Sequence, residues 1–195
     1  MGDTRSEDYA GRLRRREEAR WKRLLNVQAP FRWNLRRLEL GYTLDVGCGI
    51  GRNLLGVDGV GVDHNPAAVE IARRRGLTAY TTEDFAGSEY ARPGRFDSLL
   101  LAHVVEHMTR AEAGQLLGRY LPYLRPGGRV VLIAPQEAGF RSDDTHVEFI
   151  DHRALRELLE AHGLQVVREF SFPFIRAAGR LVRFNEFISV GETGP

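Results

Sequence analysis

The chain has 195 residues, 43% of them hydrophobic, enough to bury the core of one enzyme domain and too few for a comfortable second one. It carries a single cysteine, Cys48, and no run of about eighteen apolar residues. These features exclude an intrachain disulfide and a membrane-spanning helix; with no secretory leader read at its start, a cytoplasmic setting is expected. The formal net charge of +2 hides an asymmetry, because residues 1–37 sum to +6 and residues 38–195 to −4.

Residues 6–26 place Tyr9, Leu13, Trp21, Leu24 and Leu25 among charges at helical spacing, which predicts an amphipathic helix. Its Arg12, Arg14, Arg15, Arg16, Arg20 and Arg23 offer a patch for nucleic acid or anionic lipid. Glu17 and Glu18 interleave within helix-pair distance of them, the pattern of a solvated face, so nucleic acid is not the expected partner. Pro30 then opens a second short helix containing Trp33, Leu35 and Leu38. The expected organisation is a helical cap over residues 1–40 and a domain over 41–195, together one structural domain.

Residues 43–53 (TLDVGCGIGRN) follow, a short apolar strand that breaks on Gly47, Gly49 and Gly51. Glycine lacks a Cβ, so such a loop lets backbone approach a ligand closely. Arg52 stands where the dinucleotide fingerprint needs glycine or alanine, which implies a different nucleoside cofactor. Gly59 to Asp63 reads as a second strand whose terminal carboxylate suits ribose hydroxyls. The crossover between them is near the minimum of about a dozen residues, so its helix must be very short.

A helix over Pro66–Arg75, capped by Asn65 and stopped by Gly76, leads to a third strand at Thr78–Thr81 and a polar loop carrying Glu83 and Asp84. Then come a strand at Phe96–Ala102, a helix at Thr109–Leu124, a strand at Arg129–Ala134 and a helix at His152–His162 ended by Gly163. The last strands, Leu164–Ser171 and Phe184–Val190, are too close for an easy helical crossover and predict an antiparallel hairpin edge. The alternation predicts an α/β fold: a Rossmann-like, doubly wound seven-stranded sheet, mostly parallel with an antiparallel last strand, plus N-terminal helices. Such a sheet gathers its ligand at the strand ends beside the topological switch point, where the glycine loop, Asp63 and the end of the fourth strand should converge.

Asp45-x-Gly47-x-Gly49-x-Gly51 with Asp63, the run from Phe96 to His103, and the Pro126-Gly127-Gly128 turn into the fifth strand resemble, in order, the motifs of class I S-adenosylmethionine-dependent methyltransferases. The resemblance implies S-adenosyl-L-methionine as cofactor. Asp45, Gly47, Cys48, Gly49 and Gly51 would line its methionyl and ribose side, with Asp63 and His64 at the ribose. Glu83 and Asp84 would meet the adenine amine, with a polar surface turn as the open alternative, and Phe85 would cover the ring. Ala102 and His103 would complete the shell.

A closer resemblance is to the ubiquinone-biosynthesis O-methyltransferases. It implies that Arg32, in Pro30-Phe31-Arg32-Trp33-Asn34, contacts the cofactor carboxylate. It also matches the pair Glu106-His107, the histidine His146, and the helix from Asp151 to His162. The short first crossover and the lack of a long membrane-associating insertion after the fifth strand depart from that group and argue against a polyprenyl substrate.

His103 to His107 also spells H-x-x-E-H, a zinc-protease pattern that needs both histidines on one helical face. Here the first one ends a strand, so a protease is rejected. A divalent ion on His103, Glu106 and His107 is a minor alternative, and the expected metal content is none.

A sulfonium carries a good neutral leaving group, so alignment of the reactants, worth about 7–11 kcal/mol, is the main demand. A small-molecule acceptor is expected, at oxygen ahead of nitrogen. His146 is the first candidate for a base and His103 the second. A local bond from His146 to Asp143 or Asp144 is the competing account. Two other functions stay open: an RNA or protein methyltransferase that recruits substrate by the basic first helix, and a non-catalytic cofactor-binding module. A monomer or homodimer is expected.

Overall fold

The strand-forming runs are short and glycine-bounded, and in the computed structural model, which describes residues 29–194, each becomes one strand. The amphipathic helix expected at residues 6–26 and its arginines lie outside the described residues. Seven strands form the mostly parallel, Rossmann-like sheet that was expected. The chain forms two compact units that part between Ala91 and Arg92.

The first unit contains α1 (Ala29–Arg37), β1 (Thr43–Val46), β2 (Gly59–Asp63), α2 (Pro66–Arg74), β3 (Ala79–Thr81) and α3 (Thr82–Ala86). β1 is buried throughout and pairs in parallel with β2, Thr43 against Gly59 and Val46 against Val62. Gly59 is required by the close approach of these strands, since a Cβ there would lie 1.9 Å from the Thr43 carbonyl oxygen; Gly61 is required by the loop after β1, since a Cβ there would lie 2.5 Å from Cys48 Sγ.

The crossover is the short element expected, a single 3-10 turn at Asn53–Leu55. Its Leu54 packs into a core with Cys48, Val69, Ala72 and Ala79. α2 begins where Asn65 Oδ1 accepts from the N–H groups of Ala67 (3.0 Å) and Ala68 (3.2 Å), with Pro66 supplying a preset φ.

Glu83 and Asp84 are not in a loop. Thr81 ends β3 and its hydroxyl accepts the Asp84 N–H (3.1 Å), so the acidic pair occupies the first turn of α3, where the helix dipole favours it.

The second unit contains β4 (Phe96–Ala102), α4 (Arg110–Tyr120), β5 (Leu124–Pro135), α5 (Glu137–Phe140), α6 (His152–Glu160), β6 (Gln165–Phe172) and β7 (Glu186–Glu192). A Thr109–Glu112 capping box starts α4, which ends at Tyr120 because Pro122 cannot extend its hydrogen bonding; a 3-10 turn follows at Leu121–Tyr123. β5 begins earlier than expected. Phe96 pairs with Leu124 and Ser98 with Arg129, so Pro126-Gly127-Gly128 is an irregularity within the strand rather than a turn ahead of it.

The last two strands do pair antiparallel, but β7 also pairs antiparallel with β5, which leaves β6 at the edge. Composition explains the order: Phe187, Ile188 and Val190 suit a strand covered on both faces, whereas Gln165, Arg168 and Glu169 of β6 tolerate water. No helix among the described residues is long and apolar enough to cross a membrane.

Gly59→Ala should force β1 and β2 apart and cost about 1–3 kcal/mol, read as a lower urea midpoint with an unchanged slope. An unchanged midpoint would show that the strands tolerate the methyl group.

Candidate active site

After β1 delivers Asp45, the chain turns through Gly47 (φ 77°), Gly49 (φ 53°) and Gly51 (φ 78°), conformations that a Cβ disfavours. The N–H groups of Gly47 and Cys48 both donate to the Val62 carbonyl (2.7 and 3.1 Å). Gly49 N–H donates to Asp63 Oδ2 (2.7 Å), and Asn65 N–H to Asp63 Oδ1 (2.8 Å). The loop is thereby tied to the tip of β2.

Two of its glycines serve different ends. A Cβ on Gly51 would lie 2.4 Å from Leu77 Cδ1, whereas one on Gly49 would meet nothing within 4 Å. Gly51 is a packing requirement, and Gly49 borders open space. Both Asp63 oxygens keep acceptor capacity beyond their one backbone bond each, as hydroxyl recognition needs.

Asp45 is fully buried; its Oδ1 accepts from Asn53 Nδ2 (3.2 Å), and its Oδ2 has no hydrogen-bond partner among the described residues. Burial pushes its pKa up to about 7, against the Asn53 bond and with help from the Asp63 charge. A buried carboxyl oxygen without a donor is costly, and a nearby cation relieves it. Open space at Gly49, acceptors on Asp63 and the unpartnered Asp45 oxygen together fit a cationic nucleoside such as S-adenosyl-L-methionine.

The other residues of the first unit fall around this loop. Cys48 is buried with Sγ 3.6 Å from the Gly49 carbonyl, and burial, then the charges of Asp45 and Asp63, raise its thiol pKa well above the usual range. His64 is exposed, with Nδ1 3.6 Å from Asp63 Oδ1. Arg32, on α1, lies alongside Gly56 after the 3-10 turn. Asp84 pairs with Arg73 at 3.4 Å, Glu83 is exposed, and Phe85 is buried with its ring edge-on to Tyr80.

In the second unit, Ala102 is buried at the end of β4 and His103 follows in a left-handed conformation (φ 58°), unusual for a residue with a Cβ. His103 Nδ1 lies 3.2 Å from Glu106 Oε1, and its Nε2 lies 2.7 Å from Glu186 Oε1. Burial pulls its pKa down, but the hydrogen bonds and charges of Glu106 and Glu186 outweigh it and push the pKa up to about 10. At neutral pH it is an imidazolium donating through both nitrogens. With both nitrogens on carboxylates, His103 clamps Glu106 and Glu186 together.

Glu106 and His107 lie on the 3-10 turn Val105–His107. Glu106 is wholly buried; one oxygen meets His103, and Oε2 has no hydrogen-bond partner among the described residues. His107 Nδ1 lies 3.2 Å from the Thr145 carbonyl, and His146 Nδ1 lies 2.7 Å from the Phe140 carbonyl. A carbonyl only accepts, so each Nδ1 carries a proton, and in the neutral ring Nε2 presents the lone pair; the Thr145 hydroxyl, also 3.2 Å from His107 Nδ1, donates to Asp143. Burial lowers the His107 pKa, with Glu106 opposing and His146 adding to the shift.

The two imidazole rings lie 4.8 Å apart, and one ligand atom from each of Glu106, His107 and His146 lies within 4.8 Å of the others. The backbone joins them: the N–H groups of Val147 and Glu148 donate to the Glu106 carbonyl (2.8 and 3.3 Å). Phe140 stacks on His146 at 5.2 Å and is itself backed by Phe149. Asp143 bonds Thr145 rather than the His146 ring. The cluster therefore joins Glu106 and His107 to His146, and not to His103 as an ion ligand. Glu186 and the carbonyls of Thr145 and Phe140 went unnoticed in the sequence; no local spacing links them to the residues they hold.

A family model described as a methyltransferase domain matches residues 13–169, and the chain belongs to that family. Its enzyme class is S-adenosyl-L-methionine-dependent methyltransferase. The chain is similar to the ribosomal protein L11 methyltransferase of Ralstonia pickettii, 35% identical over 96 residues, which is 46% of this chain and 30% of that protein. It thus spans less than a third of that relative. Solved structures share its fold. One is a SAM-dependent methyltransferase from Archaeoglobus fulgidus, with TM-score 0.65 and 17% identity over 84% of this chain and 93% of that one. Another is magnesium protoporphyrin IX methyltransferase from Synechocystis PCC 6803 with bound SAH, with TM-score 0.67 and 18% identity over 98% of this chain and 96% of that one.

The raised pKa of Asp45 sets a pH dependence for the free protein. Between an unfolded value of about 4 and the folded value of about 7, the folded state keeps a proton that the unfolded state has lost, so stability falls as pH rises through that window. Asp45→Asn removes this loss. In thermal melts without cofactor it should exceed the wild type at pH 8 and match it near pH 4; equal melting at both would deny Asp45 its shifted titration.

Proposed function

We propose that this methyltransferase moves the donor's methyl group to an oxygen of a small molecule. In this reading the first unit holds the donor: Asp63 binds the ribose hydroxyls, Arg32 the carboxylate, and Glu83 or Asp84 the adenine amine, while Asp45 faces the donor's positive charge from below the loop.

The observation that carries an oxygen acceptor is the cluster of two bare imidazole lone pairs beside the unpartnered Glu106 oxygen. A hydroxyl attacks a sulfonium methyl well only once its proton is drawn off, by one of these lone pairs or under the pull of an ion that they hold, whereas a neutral amine already has its nucleophilic pair. Phe140 and Phe149 offer apolar cover to a small acceptor. A protein acceptor is the second reading, favoured by the relative whose name specifies ribosomal protein L11.

Labelled donor, supplied with a metabolite extract and separately with cell protein, should mark a small molecule whose new methyl sits on oxygen by mass spectrometry. Label confined to protein would reverse the choice. His146→Ala should lower turnover by about 10²-fold or more while donor affinity is unchanged; normal turnover would reduce His146 to a loop residue. By calorimetry, Asp63→Ala should weaken donor binding at least about tenfold, and an unaltered affinity would remove Asp63 from the site.

A further inference from the structure

The second unit builds the cluster of Glu106, His107 and His146 from the turn after β4 and the loop after α5. The N–H groups of Val147 and Glu148 donate to the Glu106 carbonyl, which holds the two segments side by side. We propose that Glu106, His107 and His146 are the ligands of a first-row divalent transition-metal ion, one atom from each, and that the ion's open positions take the acceptor oxygen. The second half of that statement rests on the oxygen-acceptor reading; the first half does not.

Four features support the ion. The atoms left over after internal hydrogen bonding are Glu106 Oε2 and the two Nε2 atoms, and one ligand atom of each residue lies within 4.8 Å of the others. Ligands bound about 2.0–2.2 Å from an ion sit roughly 3–3.5 Å apart, so small side-chain rotations close the set.

Each imidazole also hands its other N–H to a backbone carbonyl, Thr145 for His107 and Phe140 for His146, the outer-shell arrangement that orients metal-binding histidines. Glu106 is anchored in the same way, its first oxygen taken by His103, which Glu186 holds from the far side. And a wholly buried carboxylate oxygen with no donor carries a desolvation cost that a bound cation removes.

The donor set selects the class of ion. Two imidazoles and one carboxylate suit zinc, iron, cobalt or manganese, whereas magnesium and calcium prefer oxygen alone. His103 is not part of the set, since both its nitrogens are taken by carboxylates. With the ion in place, an acceptor hydroxyl bound to it gives its proton to water. The oxygen then forms the new O–C bond as the C–S bond breaks, and the bonding pair stays on sulfur as a neutral thioether. The ion keeps its oxidation state throughout.

Untagged full-length protein, stripped with a chelator and dialysed, is titrated with Co²⁺ in the absence of donor and acceptor, so that the result is independent of methyl transfer. One equivalent should bind with a visible d–d band and be displaced by Zn²⁺. His146→Ala and Glu106→Gln should each weaken binding at least about tenfold. Loss of Glu106 also releases His103, so the wild type is examined as well by histidine ¹⁵N NMR, where Zn²⁺ should move the Nε2 signals of His107 and His146 while both Nδ1 atoms stay protonated.

No band at millimolar Co²⁺, equal binding by His146→Ala, an equal response to Mg²⁺, or shifts confined to other histidines would overturn the site. Tight Co²⁺ binding in an enzyme that methylates only nitrogen would keep the site and remove the oxygen acceptor.

Discussion

The hydrogen bond from Gly49 to Asp63 is the constraint on which the donor side depends. It joins the loop after β1 to the end of β2, where the two strands leave no room for a Cβ at Gly59 and Cys48 leaves none at Gly61. Close strands bring the loop over the carboxylate. The carboxylate, held by Gly49 and Asn65, is then fixed where hydroxyls of a ligand can be read. Packing in the strands and recognition in the loop are one arrangement.

Carboxylates without enough donors recur in both units. Asp45 lies below the glycine loop with one oxygen unmatched, and Glu106 lies after β4 with one oxygen unmatched. Each is buried, so each stores a cost that a cationic ligand lowers. In the proposed reading that partner is the positively charged donor in the first unit and the metal ion in the second. His103 shows the alternative solution, a protein cation spent on Glu106 and Glu186 together, and it accepts an uncommon backbone conformation in doing so.

The motifs of the donor side were readable in order because their physics is local. Gly47, Gly49 and Gly51 are needed by the path of the backbone, Asn65 and Pro66 by the start of a helix, and the shortness of the first crossover by chain length alone. Reading failed where one local pattern fits two structures. Glu83 and Asp84 read as a loop because a polar run looks alike in a turn and at a helix start; the Thr81 cap decides between them. β5 was read short because Pro126 and glycines signal a turn, while the ladder to Phe96 and Ser98 holds them inside a strand. β6 became the edge because exposure of Arg168 and Glu169 is cheap and that of Phe187 and Ile188 is not.

From the sequence alone came the fold class, the cofactor loop, the carboxylate that answers it and the suspicion that His146 matters, all carried by short spacings and by period. The partners of those residues were decided by tertiary structure. Glu186 reaches His103 from a strand near the other end of the chain, and the Thr145 and Phe140 carbonyls set which nitrogen of His107 and His146 is bare. Backbone carbonyls are the same in every residue and leave no mark in a sequence. A proton's place on an imidazole therefore appears only when the chain has folded around it.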